Sequence, residues 1–193
     1  MLSYKESLKI LKETNALLEG HFILSSGLHS PQYIQCAKLL SKPIQAAKIC
    51  ISLAEKIKDS FKKIDLILAP AIGGIVIGYE IGRLFGVETI FAERIENKFA
   101  LRRDFSIPKG SKVLILEDVI TTGKSSLECS NLITSANADL LGYACIIDRS
   151  NGKSSIKGKI ISQIEINIPT YDKNNLPANL SSIKAIKPGS RGL

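Results

Sequence analysis

Two adjacent carboxylates, Glu117 and Asp118, stand just before a small hydroxyl-rich turn, Thr121-Thr122-Gly123-Lys124-Ser125. A glycine and several hydroxyls at the start of a helix suit a phosphate. Free backbone N–H groups and the positive dipole end point at it, and the glycine permits close approach. Carboxylates are wrong for phosphate but right for vicinal hydroxyls or a magnesium ion. Together the two features describe a site for a sugar phosphate, a ribose 5-phosphate in particular. Gly123-Lys124-Ser125 superficially matches the end of a Walker A loop, G-x-x-x-x-G-K-[ST]. That pattern requires glycine where this chain has Asp118, so a nucleotide-triphosphatase loop is excluded.

Elements are needed to hold these groups in place. Val113 to Leu116 reads as a fully buried strand, and a helical pattern begins near Ser125 and runs to about Asn137. A buried strand of a parallel sheet delivers its carboxyl end to the crevice where α/β proteins bind ligands. Leu140 to Asp148 is a second such strand and ends on Arg149, which places a cation at the same edge. Ile64 to Ala69 is a third, followed by the turn Pro70-Ala71-Ile72-Gly73-Gly74 and a helix of small residues to about Phe85. That turn is either a plain glycine turn or a loop whose N–H groups receive pyrophosphate oxygens.

The remaining elements follow in order. Ser3 with Glu6 forms a capping box, and Leu8, Leu11, Leu17 and Leu18 predict a helix to about Glu19. Phe22 to Leu24 and Gln32 to Ala37 read as short strands around a turn, either a plain hairpin or a hood over a ligand. Pro43 opens a helix to about Ser60 with Ile44, Ala47, Ile51, Leu53, Ala54 and Ile57 inward. Glu88 to Glu93 is a strand. Arg94 to Gly110 has no clear periodicity and carries Arg94, Lys98, Arg102 and Arg103; it is either a solvated charged hairpin or a functional loop. Ile160 to Ile168 is an outer strand. The tail from Ser181 is silent about chemistry. Strands alternating with helices predict an α/β doubly wound sheet.

Composition narrows the partners. With 193 residues, 45% of them hydrophobic, the chain can bury one proper core. A formal charge of +8 suits anionic ligands. The basic residues are spread along the chain, and neither a helix-turn-helix nor an aromatic RNA platform is evident, so no nucleic-acid partner is expected. Cys36, Cys50, Cys129 and Cys145 form no C-x-x-C pair and read as buried free thiols in a reducing cytosol. The two histidines, His21 and His29, have no carboxylate at ligand spacing, so no resident metal site is expected. The N-terminus lacks a signal core, and the apolar run from Leu66 to Tyr79 is interrupted by Pro70 and glycines. A cytoplasmic protein without membrane contact is the expectation.

VLILEDVITTGKSS, residues 113–126, closely resembles the phosphoribosyl diphosphate (PRPP) signature of type I phosphoribosyltransferases. The resemblance implies that family's fold: a mainly parallel twisted sheet flanked by helices, as one domain over 1–193 with a small hood within about 1–40. It implies PRPP binding by Glu117, Asp118, Val119, Ile120, Thr121, Thr122, Gly123, Lys124 and Ser125, with Mg2+ arriving on the PRPP. GHFILSSGLHSPQYIQ, residues 20–35, resembles the hood of orotate phosphoribosyltransferases, where the backbone matching Tyr33 and Ile34 meets orotate. By the same resemblance Arg149 pairs with the orotate carboxylate, Thr121 adds its hydroxyl, and the protein is a homodimer. ERIENKFALRRDF, residues 93–105, is similar to a mobile loop that closes on pyrophosphate, often over the neighbouring subunit's site; Arg94, Lys98, Arg102 and Arg103 are its candidate cations. Relatives often carry lysine where this chain has Ser25 and Gly73. The implied reaction joins orotate to PRPP. The alternatives are another base, purine or uracil, or a PRPP-binding nucleic-acid regulator on the same fold; the hood and Arg149 argue against another base.

Overall fold

A computed structural model describes residues 1–24 and 26–188. The chain opens on α1 (Tyr4–Glu13), capped as expected: Glu6 N–H donates to Ser3 Oγ at 3.3 Å and Ser3 N–H to Glu6 Oε2 at 2.8 Å. The helix stops earlier than the leucine pattern predicts. Thr14 Oγ1 donates back to the Ile10 carbonyl at 2.7 Å, and Asn15 turns left-handed with φ 55°. Leu17 and Leu18 therefore open a strand, β1 (Leu17–Ile23), and Leu17 is still buried. A leucine pair satisfies either period, and the left-handed turn decides between them.

β1 pairs antiparallel with β2 (His29–Ile34) to form the hood. The second strand ends before Ala37, because Cys36 begins a short helix, α2 (Cys36–Leu40), that buries Leu39 completely. In α3 (Pro43–Ser60) the proline occupies the first turn, where its missing N–H costs nothing. Ile49, Leu53 and Ile57 point into the core. Ile44 and Ile51 do not: they are 72% and 47% exposed on the outer face.

The main sheet collects β3 (Leu66–Pro70), β4 (Glu88–Ile95), β5 (Lys98–Leu101), β6 (Lys112–Ile120), β7 (Asp139–Asp148) and β8 (Ile160–Glu165) in the order β5-β4-β3-β6-β7-β8. All neighbours run parallel except the β4–β5 hairpin. α4 (Gly73–Phe85) links β3 to β4, and α5 (Lys124–Ser135) links β6 to β7. The two crossovers leave β3 and β6 in opposite directions. Right-handed connections then place α4 and α5 on opposite faces and leave a crevice between the ends of β3 and β6. A final short helix, α6 (Ala178–Ser181), lies beyond the sheet.

Strand alternation shows in the core. Leu114 and Leu116 join the cluster under α3 and α4, whereas Val113 and Ile115 join the cluster under α5. All four are 0% exposed, each contributing about 1.5–3 kcal/mol of burial, so β6 is rigidly seated before its functional end begins. The four cysteines are buried and free. Among the described residues no helix is long and apolar enough to cross a membrane.

Candidate active site

The period-two alternation of β6 continues through the acidic pair and splits it. Glu117 turns toward α5, where the Ser126 hydroxyl donates to its Oε2 at 3.0 Å. Asp118 turns toward the β3–α4 loop: a Cβ added at Gly73 would lie 2.6 Å from its Oδ1. Asp118 Oδ1 also accepts the Val119 N–H at 2.9 Å. Among the described residues no cation is bonded to either carboxylate, so burial dominates their chemistry. It pushes Glu117 up to about 7, partly opposed by the Ser126 hydrogen bond, and it raises Asp118 as well. A buried acidic pair without a cation of its own is an uncompensated negative site.

Both carboxylates line a cavity of about 270 Å³ at the switch point of the sheet. Its walls are the loop from Pro70 to Gly74 and the turn from Thr121 to Ser125, with Val119 beside them. Gly123 caps α5 in the left-handed conformation, φ 78°, which disfavours any side chain there. Gly123 has no side chain to cap α5, and only the Lys124 N–H of its first turn meets a side chain, donating to Thr122 Oγ1 at a long 3.4 Å, so the helix start remains open to an anion. Lys124 is the cation of this lining. Of the nine residues expected at the phosphate motif, Ile120 is the exception: it is 1% exposed and points into the core. Its carbonyl still serves the site by accepting the Arg149 N–H at 2.8 Å.

Thr121 and Thr122 also line a second, larger cavity of about 1050 Å³ between the hood and the ends of β6 and β7. Tyr33 and Gln35 of the hood form one wall and Arg149 the other. The Arg149 Nε is buried without a hydrogen-bond partner among the described residues, and burial lowers the guanidinium's pKa, while Tyr33 works the other way. Asp148 does not orient it; Asp148 Oδ1 instead accepts the Ser150 N–H at 2.7 Å as an ordinary turn residue. Ser25 lies outside the described residues, while Ser26 lines the cavity.

The charged stretch from 94 to 110 is more regular than its sequence suggests. Glu96 and Asn97, both with positive φ, make the tight turn between β4 and β5. Arg94 pairs with Glu128 of α5 at 3.0 Å and lies 4.3 Å from the Phe99 ring. Arg103 bonds Glu93 through both Nε and Nη2 at 3.1 Å. Lys98 and Arg102 are exposed. None of these four cations lines either cavity.

The sequence reading overlooked the segment after β8. Ile168, Thr170, Lys187 and Pro188 all line the larger cavity, together with Lys153 from the loop between β7 and β8. Only pairing across the whole chain brings Lys187 there, and no local signal marks it.

Residues 39–179 match the phosphoribosyl transferase domain. The chain is 45% identical to an orotate phosphoribosyltransferase of Methylobacterium sp. over 185 residues, 95% of this chain and 94% of the relative. It is 46% identical to that of Parvibaculum lavamentivorans over 187 residues, 95% and 96% of the two chains. The crystal structure of orotate phosphoribosyltransferase from Aeropyrum pernix superposes with a TM-score of 0.72 at 23% identity, covering 82% of this chain and 92% of that one. The adenine phosphoribosyltransferase of Thermoanaerobacter pseudethanolicus superposes with 0.61 at 19% identity, over 70% and 88%, so the fold itself does not choose the base. The full-length relatives do choose, and on their account the chain belongs to the orotate phosphoribosyltransferase family of type I phosphoribosyltransferases.

Proposed function

We propose that this protein is an orotate phosphoribosyltransferase that joins orotate to PRPP, giving orotidine 5′-phosphate and pyrophosphate in pyrimidine nucleotide synthesis. The observation that carries this reading is the meeting of two unlike cavities at Thr121 and Thr122. One offers an acidic pair and an uncapped helix start. The other offers, among the described residues, three cations, Arg149, Lys153 and Lys187, and no carboxylate in its wall. A sugar phosphate fits the first, and a base bearing its own negative charge fits the second. Neutral uracil or adenine would leave Arg149 unpaired.

In this reading the turn from Thr121 to Ser125 holds the 5′-phosphate, and Glu117 and Asp118 hold the ribose hydroxyls. The loop from Pro70 to Gly74 faces the pyrophosphate. The bond from C1′ to the pyrophosphate oxygen breaks, the bond from C1′ to the base nitrogen forms, and the proton of that nitrogen ends on the released pyrophosphate. Positive charge develops on the ribose ring, and the two buried carboxylates are placed to stabilise it. Mg2+ carried in on PRPP would neutralise the departing pyrophosphate. The uncompensated carboxylates at 117 and 118 fit a magnesium-bearing diol, which brings the missing positive charge.

The working unit is one domain over residues 1–193, acting in the cytoplasm as a homodimer without nucleic acid. Exposed apolar side chains support the dimer: Ile72, Val76 and Tyr79 at and along α4, with Ile44 and Ile51 on the neighbouring α3. A monomer in sedimentation at assay concentration would overturn that part. The reaction is tested by incubating the protein with Mg2+, PRPP and, separately, orotate, uracil or adenine. Orotate should be consumed with equal release of pyrophosphate. Consumption of another base with orotate untouched would overturn the reading.

A further inference from the structure

The walls of the larger cavity come from two sources. Thr121, Thr122 and Arg149 lie inside the matched phosphoribosyl transferase region, residues 39–179. The hood residues Ile23, Leu24, Tyr33 and Gln35 lie before it, and Lys187 and Pro188 lie after it. The parts of the acceptor pocket outside the shared region are thus a hood and a C-terminal strap.

The strap is built into the hood. Ile186 bridges Phe22 in parallel: Ile23 N–H donates to the Ile186 carbonyl at 2.8 Å, and Ile186 N–H donates to the His21 carbonyl at 2.9 Å. Upstream, Tyr171 exchanges both backbone bonds with His29, at 2.8 and 2.9 Å, so both edges of the two-stranded hood are covered. A buried histidine pair completes the joint. His21 Nδ1 lies 2.8 Å from the Ile183 carbonyl and its Nε2 lies 2.6 Å from His29 Nδ1. A carbonyl only accepts, so His21 donates from Nδ1 and, when neutral, accepts from His29 at Nε2. Lys187 is the residue immediately after this clasp. The pairing of Ile186 with β1 fixes where it starts, whereas its ammonium has no ion-pair partner among the described residues.

We infer that Lys187 is a specificity-determining residue for the anionic acceptor, reaching from the strap to add a positive charge to those of Arg149 and Lys153 in the same wall. The inference rests on the proposed reading that the acceptor is orotate. Arg149 approaches from the end of β7 and Lys187 from the hood side of the same cavity. A planar acid held between them is attracted from two directions, and no carboxylate among the described residues of the wall opposes it. The strap thereby couples hood position to base binding.

The test uses the full chain with Lys187→Met, which keeps length and removes charge, and Lys187→Arg, which restores the charge. Steady-state kinetics vary orotate at saturating PRPP, then PRPP at saturating orotate. For Lys187→Met the KM for orotate should rise roughly fivefold or more, with kcat and the KM for PRPP within about twofold of wild type. Lys187→Arg should return the orotate KM to within about twofold of wild type. An unchanged orotate KM in the methionine variant overturns the inference, as does an equal rise in the KM for PRPP. Failure of the arginine to rescue assigns the effect to packing and also overturns it. The wild-type arm separates the two claims. If wild type consumes orotate but Lys187→Met is indistinguishable from it, only the role of Lys187 falls. If wild type leaves orotate untouched, both fall.

Discussion

Gly73 and Asp118 touch across the switch point of the sheet, so closely that a Cβ on the glycine would lie 2.6 Å from the aspartate Oδ1. The carboxylate is held there by the Val119 N–H at 2.9 Å and cannot swing away without forfeiting that bond. A side chain at position 73, lysine included, is therefore incompatible with Asp118 as it stands. Gly73→Ala should destabilise the protein by about 1–3 kcal/mol, the range for overpacking a fitted site. In an Asp118→Ala background the same change should cost only a few tenths of that. Urea unfolding of the four proteins measures the coupling. Additive costs would mean that the contact carries no energy.

Glu117 makes stability depend on pH in an unusual direction. Burial lifts its carboxyl from an ordinary 4.5 to about 7 in the folded protein. Below 4.5 both folded and unfolded chains hold the proton. Between 4.5 and 7 the folded chain keeps a proton that the unfolded chain has lost. Above 7 the folded chain carries a buried charge. The contribution of Glu117 therefore worsens as pH rises through this window, by roughly 3 kcal/mol at most. Glu117→Gln keeps a partner for Ser126 and removes the titration. Its stability relative to wild type should be greater at pH 8 than at pH 5 in urea unfolding. A difference that does not change with pH would place Glu117 in contact with solvent.

What could be read from residues alone was whatever is local or strongly periodic. Val113 to Leu116, the turn at Thr121 to Ser125 and the strand ending at Arg149 are each specified by neighbours in sequence, and each appears where expected. Pro43 marks its helix start for the same reason. Leu17 and Leu18 fit helix and strand alike, and Asn15, a single left-handed residue, decides for the strand. Ile44 and Ile51 were assigned to the core on hydrophobicity, although they share a face opposite Ile49 and Leu53. Lys187 was invisible because its place depends on a pairing between Phe22 and Ile186. No local rule encodes a contact between the two ends of the chain.

The hairpin of β4 and β5 narrows the choice of a pyrophosphate-binding cation. Arg94 and Arg103 are already committed to Glu128 and Glu93. Lys98 and Arg102 are exposed, and neither has an ion-pair partner among the described residues. In the proposed reaction this segment closes over pyrophosphate and excludes water. Arg102→Ala should lower kcat by roughly tenfold while the KM for orotate changes less than about threefold. Arg103→Ala should act on stability through the lost Glu93 pair, with little effect on kcat. PRPP should also slow protease cleavage within residues 96–104. If the Arg103 variant loses more kcat than the Arg102 variant, the assignment of the two arginines is reversed.

Arg149 carries the choice of base. It stands one residue beyond β7, and its N–H donates to the Ile120 carbonyl at 2.8 Å, which ties the base-binding edge to the end of the PRPP strand. Its buried Nε has no partner among the described residues, so the folding chain bears a desolvation cost that a bound carboxylate would relieve. Orotate differs from uracil by one carboxylate, and a guanidinium can grip it through two parallel hydrogen bonds. Arg149→Ala should therefore cost about 2–5 kcal/mol in kcat/KM for orotate, the range for stranding a desolvated charge, while PRPP binding barely changes. Arg149→Lys keeps the charge but not the fork, and should recover only part of the loss. Full recovery by lysine would show that charge alone selects the base. Normal kcat/KM in the alanine variant would make Arg149 a bystander. Equal losses for orotate and PRPP would move it to the phosphate site, leaving the cationic cavity without its principal anchor.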